Sequence, residues 1–422
     1  MKIISDLHLH SKYSRATSKQ LDIANLEKWA KIKGLNLLGT GDFTHPEWIK
    51  ELKSKLTGEN GIFKSAGGMN WVLQAEVSLI YSDMGKGRRV HNVILAPSFD
   101  VVEQITEYFL KHGRIDYDGR PIFKIPSDEL VYELLKISKD IEVIPAHILT
   151  PWFSLFGSMS GYDNIKDCFK DQTNNIHALE TGLSSDPAMD RRLSQLDPFA
   201  LVSFSDSHSF WPWRIGREAT MFDLKELTYN NLIKALKTKK GLLGTLEISP
   251  FLGKYHLTGH RACKVCLEPR DSLKLKDICP KCGRKLTVGV AQRVEELADR
   301  PEGYKPKDAA SFKTIIALSE LLAKILKKGI ATRNVWNEYN KIVNHFGSEF
   351  EVLLNASKEE LNKVTDEKTS DVILKNREGK IDVKGGYDGV YGIPVIDEED
   401  EIQDEELITK PKQKQTGLGE FM

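Results

Sequence analysis

Short apolar runs alternate with amphipathic stretches over the first half of the chain, up to about residue 210. The runs are typical of β-strands, being rich in β-branched and apolar residues and bounded by turn residues; they are "KIISDLHLH", "LNLLGTGDF", "WVLQAEVSLIY", "VHNVILAP", "IEVIPAH", "IHALETG" and "ALVSFSDSHS". Apolar residues at a helical period predict helices over 21–33, 46–56, 101–111 and 127–139, with Gly34 and Gly113 placed to end two of them at positive φ. Strand–helix alternation predicts an α/β fold with a parallel sheet, open or closed into a barrel.

Beyond a mixed segment that ends near residue 257, the pattern becomes helical over 307–366. The run "AASFKTIIALSELLAKILKKG" repeats apolar residues at a period of 3.6 and ends at a glycine, and Ser357 with Glu360 predicts a capping box. No apolar run reaches the length of a membrane span, and "MKIISDLHLH" does not have the pattern of a signal peptide. We therefore expect a cytoplasmic protein that does not enter a membrane.

Histidines and carboxylates stand at the ends of the predicted strands. His8 and His10 are two residues apart at the end of the first run, and Asp206 with His208 repeats this spacing in the last, so each pair faces one side of its strand. Further residues of this kind in the runs between them are Asp42, His45, Glu76, His91 and His147. A single histidine is more often an ordinary packed residue. Strand ends converge in α/β folds, however, and imidazoles with carboxylates bind Zn²⁺ or Mn²⁺, so the paired motifs favour a metal centre.

The order of these motifs resembles the PHP (polymerase and histidinol phosphatase) superfamily over about residues 1–220. The resemblance implies a distorted seven-stranded β/α barrel that holds two or three divalent metals, Zn²⁺, Mg²⁺ or Mn²⁺, for phosphoester hydrolysis. The chain departs from the usual pattern at Ser14 and Arg15 in "SKYSRAT", and at "GDF", where many members have "TDH". One of three metal positions is therefore expected to be altered or absent.

Metals in such a centre acidify a bound water and neutralise the charge that develops on a phosphodiester. The residues expected to hold the nucleophile-generating metal are His8, His10, Glu76 and Asp206. Those expected at the second metal are Glu76, as a bridge, with His91 and His147. Those expected to complete or replace a third position are Asp42, His45 and His208. The expected catalytic residues are Asp206, a ligand or general base, with Glu76 and His8.

Four of the five cysteines form two close pairs, Cys263 with Cys266 and Cys279 with Cys282. The doubled C-x-x-C spacing predicts a zinc ribbon in which all four cysteines bind a structural Zn²⁺, whereas four unrelated buried cysteines are the alternative. Residues 261–293 carry nine basic and three acidic side chains. The basic residues, including Arg284, Lys285 and Arg293, are expected to meet phosphates of a nucleic acid, although a solvated surface would have the same composition.

The segment "HILTPWFSLFGSMSGYD", residues 147–163, places aromatic side chains directly after an expected metal ligand. Aromatic residues at the mouth of a site stack unpaired bases, and a packed lid is the ordinary alternative. With "GDFTHP", "ETGLSSDPAMDRRLSQLD", "SDSHS" and "VGVAQRVEELADRP", the segment resembles the endonuclease Q family of DNA repair enzymes, over residues 1–355. The resemblance implies incision 5′ to hypoxanthine, uracil, xanthine or an abasic site, with 3′-hydroxyl and 5′-phosphate products. The expected DNA and lesion contacts are Trp152, Phe153, Phe156, Arg191, Arg284 and Lys285.

The acidic run "DEEDEIQDEE" from Asp397 predicts a tail that stays unfolded, because it has too little apolar area to offset the entropy of ordering. Residues 397–422 carry a net charge of −6 and the remainder +6, which permits a polyanionic partner. The end of the tail fits Q-x-x-h-x-x-a-a, the pattern of peptides that bind the sliding clamp PCNA, at Gln415, Leu418, Phe421 and Met422. Such a clamp indicates an archaeal cell; an apolar terminus without function is the alternative.

These patterns predict a catalytic domain at 1–257, a zinc module at 258–293, a helical DNA-binding domain at 294–396 and a tail at 397–422. The leading hypothesis is a metal-dependent DNA repair endonuclease that acts on DNA with deaminated bases. Two alternatives stay open. One is a phosphomonoesterase resembling histidinol phosphatase, and the other is a non-catalytic zinc-ribbon scaffold that binds DNA.

Overall fold

The computed structural model describes residues 1–396, in which the largest sheet has eleven strands. The strands are β1 (Lys2–Asp6), β2 (Leu37–Gly39), β3 (Thr57–Glu59), β4 (Ile62–Lys64), β5 (Asn70–Asp83), β6 (Lys86–Ala96), β7 (Ile122–Phe123), β8 (Glu142–Pro145), β9 (Ala178–Glu180), β10 (Ala200–Val202), β11 (Ala219–Asp223), β12 (Leu242–Glu247), β13 (Thr258–His260), β14 (Val265–Leu267), β15 (Ser311–Thr314), β16 (Asp382–Lys384) and β17 (Ile393–Val395). The α-helices are α1 (Ile23–Lys33), α2 (Pro46–Lys55), α3 (Phe99–Leu110), α4 (Ser127–Ile137), α5 (Ile165–Phe169), α6 (Pro187–Asp190), α7 (Tyr229–Thr238), α8 (Pro269–Lys274), α9 (Val290–Leu297), α10 (Leu318–Ile325), α11 (Arg333–Phe346), α12 (Glu349–Leu354), α13 (Lys358–Leu361) and α14 (Glu367–Arg377).

The large sheet is parallel only in part. Strands β1, β2 and β5 run parallel, whereas β11 lies antiparallel to β1, and β6 lies antiparallel to both β5 and β8. Only Met84 and Gly85 connect β5 to β6, and both have positive φ, 50° and 72°. A connection of two residues can join only antiparallel strands, so the prediction of a parallel sheet is wrong at this hairpin. Strands β9 and β10 form a separate parallel pair, and the seven-strand barrel count stays a prediction.

Local signals explain where helix α1 begins and ends. Asp22 caps its first turn by accepting a hydrogen bond from Asn25 N at 2.9 Å, and Gly34 ends it at φ 102°, as predicted. Helix α3 ends differently, because Lys111 caps it in a right-handed conformation. Gly113 does not have a positive φ, so the prediction made for that glycine is wrong.

The C-terminal part is helical but begins with a strand. The helix predicted over 309–329 starts late, since Ser311–Thr314 forms β15 and pairs in parallel with β12, and α10 begins only at Leu318. Pairing at the edge of the sheet therefore overrides the helical pattern of these residues. The capping box is confirmed, with Ser357 Oγ accepting from Glu360 N at 3.2 Å and Glu360 Oε2 accepting from Ser357 N at 2.9 Å. We call α10–α14 the helical unit.

Two clusters of buried apolar side chains support the strands. The larger includes Trp48, Trp71 and Phe109, and the smaller includes Val93 and Phe204. Burial of each such side chain contributes about 1.5–3 kcal/mol to the free energy of folding, and this packing holds the strands in place. No helix within residues 1–396 combines the length and apolar character needed to cross a bilayer. The domain limits stay predictions.

Candidate metal centre and active site

A first ligand group brings together side chains from distant parts of the chain. Its members are His8, His10, Glu76 and Asp206, and each offers one ligand atom within 4.8 Å of the others. His10 Nε2 lies 3.2 Å from Glu76 Oε2 and 3.1 Å from Asp206 Oδ1. His8 Nε2 lies 3.4 Å from the same oxygen of Glu76. The backbone explains this convergence, because Leu9, between the two histidines, forms a parallel β-bridge with Ser207, beside Asp206.

A second ligand group consists of Glu76, His91 and His147. Glu76 Oε1 lies 2.6 Å from His91 Nδ1 and 3.4 Å from His147 Nε2, while Glu76 Oε2 faces the first group. Glu76 is therefore shared between the two groups, in the position of a bridge. In the hairpin, Ser78 pairs with His91, which places Glu76 and His91 on one face in the middle of long strands and not at strand ends.

The two groups have the chemistry of divalent-cation ligands. His8 Nε2 is buried and makes no hydrogen bond with another side chain or backbone group, as expected of an atom that binds a metal. Burial would raise the pKa of Asp206, but His8 and His10 outweigh it and hold that pKa below its usual range. Burial is likewise outweighed at Glu76, where His91 and Arg120 keep the pKa well below normal. Both carboxylates are thus anionic at neutral pH and suited to bind cations.

Glu180, at the end of β9, orients two of the histidines. Its Oε1 lies 2.9 Å from His8 Nδ1, and its Oε2 accepts a hydrogen bond from His147 N at 2.8 Å. A carboxylate on Nδ1 fixes the ring and leaves Nε2 for a metal. The sequence prediction missed Glu180, although its place at the end of the run "IHALETG" was the available signal.

Asp42, predicted as a metal ligand, orients His10 in the same manner. Its Oδ1 lies 3.0 Å from His10 Nδ1, and its Oδ2 accepts hydrogen bonds from Ser11 N at 2.6 Å and Ser14 Oγ at 2.9 Å. Asp42 is in neither ligand group, and its two oxygens contact His10, Ser11 and Ser14 instead. Ser14, one of the departures from the PHP pattern, thus helps to hold the carboxylate that orients a ligand.

His45 and His208 are also in neither ligand group of residues 1–396. The His45 ring stacks on Tyr13, with centroids 4.3 Å apart. The His208 ring lies 4.4 Å from that of His10, and its Nδ1 is 3.0 Å from the carbonyl oxygen of Asp206. The His208 side chain is 31% exposed, so it lines the opening of the site. A third metal position stays a prediction.

The aromatic segment, residues 147–163, covers the second ligand group. The Phe153 ring lies 4.8 Å from the His91 ring, and Phe153 O accepts a hydrogen bond from His91 N at 3.1 Å. Trp152 is partly buried and meets Tyr255 edge-on at 5.0 Å. Phe156 is fully buried, which conflicts with its predicted contact with DNA. Trp152 and Phe153 keep part of their surface exposed, and their lesion contact stays a prediction.

Arg293 ties the aromatic segment to the zinc module. Its Nε donates to Phe156 O at 2.8 Å, and its Nη2 donates to Tyr162 O at 3.1 Å and to Asp163 Oδ1 at 2.5 Å. These bonds occupy its guanidinium and leave the side chain 12% exposed, which disfavours the predicted phosphate contact. Arg293 lies on α9, directly after the cysteine pairs, so the position of the module is coupled to the cover of the metal centre.

The zinc module gathers a ligand set that differs from the predicted one: His260, Cys263, Cys279 and Cys282, within 4.8 Å of one another. Cys282 Sγ lies 3.3 Å from His260 Nδ1. Cys266 is not in this group, so the set that the structure brings together has His260 in place of one of the four predicted cysteines. This set also suits a closed, structural Zn²⁺ site.

Strand alternation explains the position of Cys266. Its neighbours on β14, Val265 and Leu267, pack with Cys279, whereas Cys266 itself packs on the opposite side with Leu257. The two ligand pairs that do converge have matching turns. H-x-x-C at 260–263 and C-x-x-C at 279–282 are each followed by a residue with positive φ, 52° at position 264 and 74° at position 283.

The basic residues predicted to contact DNA differ in how exposed they are. Arg284 and Lys285 are exposed on the zinc module and available to a phosphate. Arg191 is buried, with 8% of its surface exposed, and it donates to Ala310 O. It lines a cavity of about 890 Å³ with Lys239, and its contact with DNA stays a prediction.

Several known proteins are similar to this chain in sequence or structure. A family model, the MJ0043 C-terminal domain, matches residues 317–380, within the helical unit and its flanks. The crystal structure of the lesion-specific endonuclease PfuEndoQ from Pyrococcus furiosus superposes with a TM-score of 0.85 at 34% identity, over 94% of this chain and 96% of that one. The chain belongs to the endonuclease Q family. This membership confirms the predicted resemblance and the α/β fold class.

Two further relatives extend the comparison. Endonuclease Q in complex with a 27-mer duplex substrate, with an abasic lesion at the active site, has a TM-score of 0.84 at 34% identity, over 94% of this chain and 98% of that one. The uncharacterized protein MJ0043 of Methanocaldococcus jannaschii is 35% identical over 293 residues, which are 67% of this chain but 35% of that protein. The chain therefore spans about a third of this relative and nearly all of the solved endonuclease Q structures.

Proposed function

We propose that this chain is a divalent-metal-dependent DNA endonuclease that cuts 5′ to a lesion. The proposed lesions are hypoxanthine, uracil, xanthine and the abasic site. The observation that carries the proposal is Glu76, a buried carboxylate shared by two ligand groups in a chain of the endonuclease Q family. The complex of a related endonuclease Q with a duplex that carries an abasic lesion supports DNA as the substrate.

Two cations, held by the first and second ligand groups, would supply a nucleophilic water at neutral pH and neutralise charge on the phosphate. Glu180 and Asp42 keep the rings of His8 and His10 in the orientation that presents Nε2 to the centre. Asp206 is 28% exposed and is the first-group carboxylate that reaches the opening. Its low pKa makes it a weak base, which favours a ligand role over that of general base.

His208 is a better candidate than Asp206 for the general base. Burial and the neighbouring His10 lower its pKa, so the imidazole is neutral near pH 7 and can accept a proton at the opening of the site. In the proposed reaction, the oxygen of water forms a bond to phosphorus while the bond between phosphorus and O3′ breaks. The leaving O3′ takes up a proton, and the products carry 3′-hydroxyl and 5′-phosphate ends.

Lesion recognition is assigned to the exposed parts of the aromatic segment. Phe153 lies over His91, so a base that leaves the duplex beside the metal centre would meet its ring. Extrusion costs a few kcal/mol and is easiest at a damaged position, which favours lesions over intact pairs. Arg284 and Lys285, together with the helical unit, are proposed to bind the duplex through its phosphates.

We also propose the sliding clamp PCNA as a protein partner. The residues that carry this proposal, Gln415, Leu418, Phe421 and Met422, lie outside the described residues, so the support is the sequence pattern alone. An acidic tether before such a peptide would raise the local concentration of the enzyme at the clamp.

Incision of defined duplexes tests the proposed function. End-labelled duplexes with one hypoxanthine, uracil, xanthine or abasic site, and an undamaged duplex, are incubated with metal-depleted protein and added Mg²⁺, Mn²⁺ or Zn²⁺. We expect one nick 5′ to each lesion, none in the undamaged duplex, and none in the presence of EDTA. Glu76→Gln should abolish the nick, whereas Glu47→Gln, at an exposed residue that pairs with Lys50, should not.

Two outcomes would contradict the proposal. Hydrolysis of a generic phosphomonoester without any nick would favour the phosphatase. Binding of duplexes without cleavage under every metal condition, with zinc bound only in the zinc module, would favour the non-catalytic scaffold.

A further inference from the structure

Arg120 lies at the opening of the metal centre, on the connection between α3 and β7. Its Nη1 donates a hydrogen bond to Glu76 Oε2 at 3.0 Å, the carboxylate oxygen that faces the first ligand group. The Arg120 side chain is 26% exposed, similar to the 28% of Asp206. The guanidinium therefore contacts the ligand groups and is also partly exposed to solvent.

The connection that carries Arg120 is fixed in place. Asp118 is buried, and its Oδ1 accepts hydrogen bonds from Arg120 N and Arg15 N, each at 3.2 Å. Gly119 N donates to the carbonyl oxygen of Tyr13 at 3.1 Å. A Cβ atom at Gly119 would lie 2.2 Å from Asp42 Oδ2, so only glycine permits this close approach. The backbone beside Arg120 is thus held against the segment that orients His10.

The charge around Arg120 gives its guanidinium a function beyond the pair with Glu76. The proposed cations would offset the carboxylates of Glu76 and Asp206, and an incoming phosphodiester, which is itself anionic, would add further negative charge beside Arg120. A guanidinium has five donors in a planar fork that matches phosphate oxygens, and the hydrogen bond to Glu76 uses one of them. Another guanidinium behind this site, that of Arg217, donates to the carbonyl oxygen of Ser205.

We propose that Arg120 is a catalytic residue that donates to a non-bridging oxygen of the scissile phosphate. As water adds to phosphorus and the O3′ bond breaks, negative charge grows on these oxygens, and a fixed cation beside them lowers the barrier. The Glu76 carboxylate, which faces both ligand groups, also holds the Arg120 guanidinium in position. This inference rests on the proposed function and adds to it the group that stabilises the transition state.

Single-turnover incision of a duplex with one abasic site tests the proposal. The variants are Arg120→Ala and Arg120→Lys, with Arg114→Ala as control, because Arg114 pairs with the exposed Asp116 on the same connection. We expect Arg120→Ala to lower the cleavage rate about 100- to 1000-fold, as removal of a transition-state donor does. Arg120→Lys should retain part of the rate, and Arg114→Ala should cleave like the wild type. The dissociation constant for DNA should change less than about threefold, since one phosphate contact among many supplies little of the affinity.

Two further measurements separate catalysis from support of the metal centre. Metal content by mass spectrometry should be equal in wild type and Arg120→Ala, and added guanidinium should restore part of the lost rate. Cleavage by Arg120→Ala within about threefold of wild type would overturn the proposal, since that corresponds to under 1 kcal/mol. A loss that disappears at saturating metal would overturn it too. Failure of the wild type to cut any lesion would instead refute the proposed function.

Discussion

Lys33 Nζ lies 2.8 Å from Glu349 Oε1, and both side chains are at most 1% exposed. The pair joins α1 of the catalytic half to α12 of the helical unit. Lys33 also donates to Pro212 O at 2.7 Å, four residues beyond His208, and Glu349 accepts from Tyr339 Oη at 2.7 Å. The helical unit is therefore connected by buried polar contacts to the segment that follows Asp206 and His208.

Lys33→Met should destabilise the protein strongly, because it leaves the Glu349 carboxylate buried without its cation. Removal of one partner from a buried pair typically costs about 3–5 kcal/mol. Urea unfolding at neutral pH would measure the change. Lys50→Met is the matched control, since Lys50 pairs with Glu47 at the same 2.8 Å but is 70% exposed, and exposed pairs contribute about 0–1 kcal/mol. Equal midpoints for the two variants would contradict a structural role of the buried pair.

Asp206→Asn should separate cleavage from binding. The amide keeps the shape of the side chain but removes a charge from the first ligand group, so we expect incision to fall at least about a thousandfold, as for other essential active-site groups. Binding of a lesion duplex, measured by fluorescence anisotropy, should be unchanged or tighter, because the substitution removes a negative charge that repels the DNA phosphates. Asp116→Asn, at an exposed aspartate, serves as control. Unchanged incision by Asp206→Asn would refute its assignment.

His260→Ala should release the metal of the zinc module, whereas Cys266→Ser should retain it. The reason is that His260 lies with Cys263, Cys279 and Cys282, and Cys266 does not. Zinc content after dialysis against a mild chelator would be compared among the wild type, both variants and Cys282→Ser, which should lose zinc like His260→Ala. Zinc lost from Cys266→Ser and kept by His260→Ala would restore the prediction of four cysteine ligands.

Deletion of residues 415–422 should abolish capture by an immobilised PCNA-type clamp and leave incision of free duplexes unchanged. The catalytic groups lie within residues 8–208, so the deletion removes none of them. Substitution of Phe421 by Ala in the full chain should weaken capture as well, because it removes an anchor of the apolar plug. Undiminished capture by the deletion variant would place clamp binding elsewhere in the chain.

Local spacing was sufficient to find much of the candidate centre. The H-x-H motif with His8 and His10 is recognisable because two ligands share one short segment. Glu180 and Arg120 were not predicted because their partners lie far away in the sequence: His8 and His147 for Glu180, and Glu76 for Arg120. Asp42 was identified as part of the site, but its neighbours Ser11 and Ser14 decide that it orients a ligand.

The errors in the fold have the same origin. Ser311–Thr314 follows a helical pattern, yet the open edge of β12 recruits it as a strand, which is a tertiary effect. Cys266 has ideal spacing from Cys263, but its place on β14 turns it away from the other ligands. At Gly113 the helix ended earlier than the apolar period suggested, so the glycine was not needed as a left-handed cap.

The bridge between Leu9 and Ser207 has a consequence for biosynthesis. Glu76 and His91 come together in the β5–β6 hairpin, whose strands are close in sequence. The first ligand group, by contrast, needs both His8 and His10 at the beginning of the chain and Asp206, which is translated much later. A nascent chain, or a fragment that ends before residue 200, lacks Asp206 and should load at most one cation, as metal analysis of such a fragment would show. The first ligand group is thus complete only after both ends of the catalytic half have met.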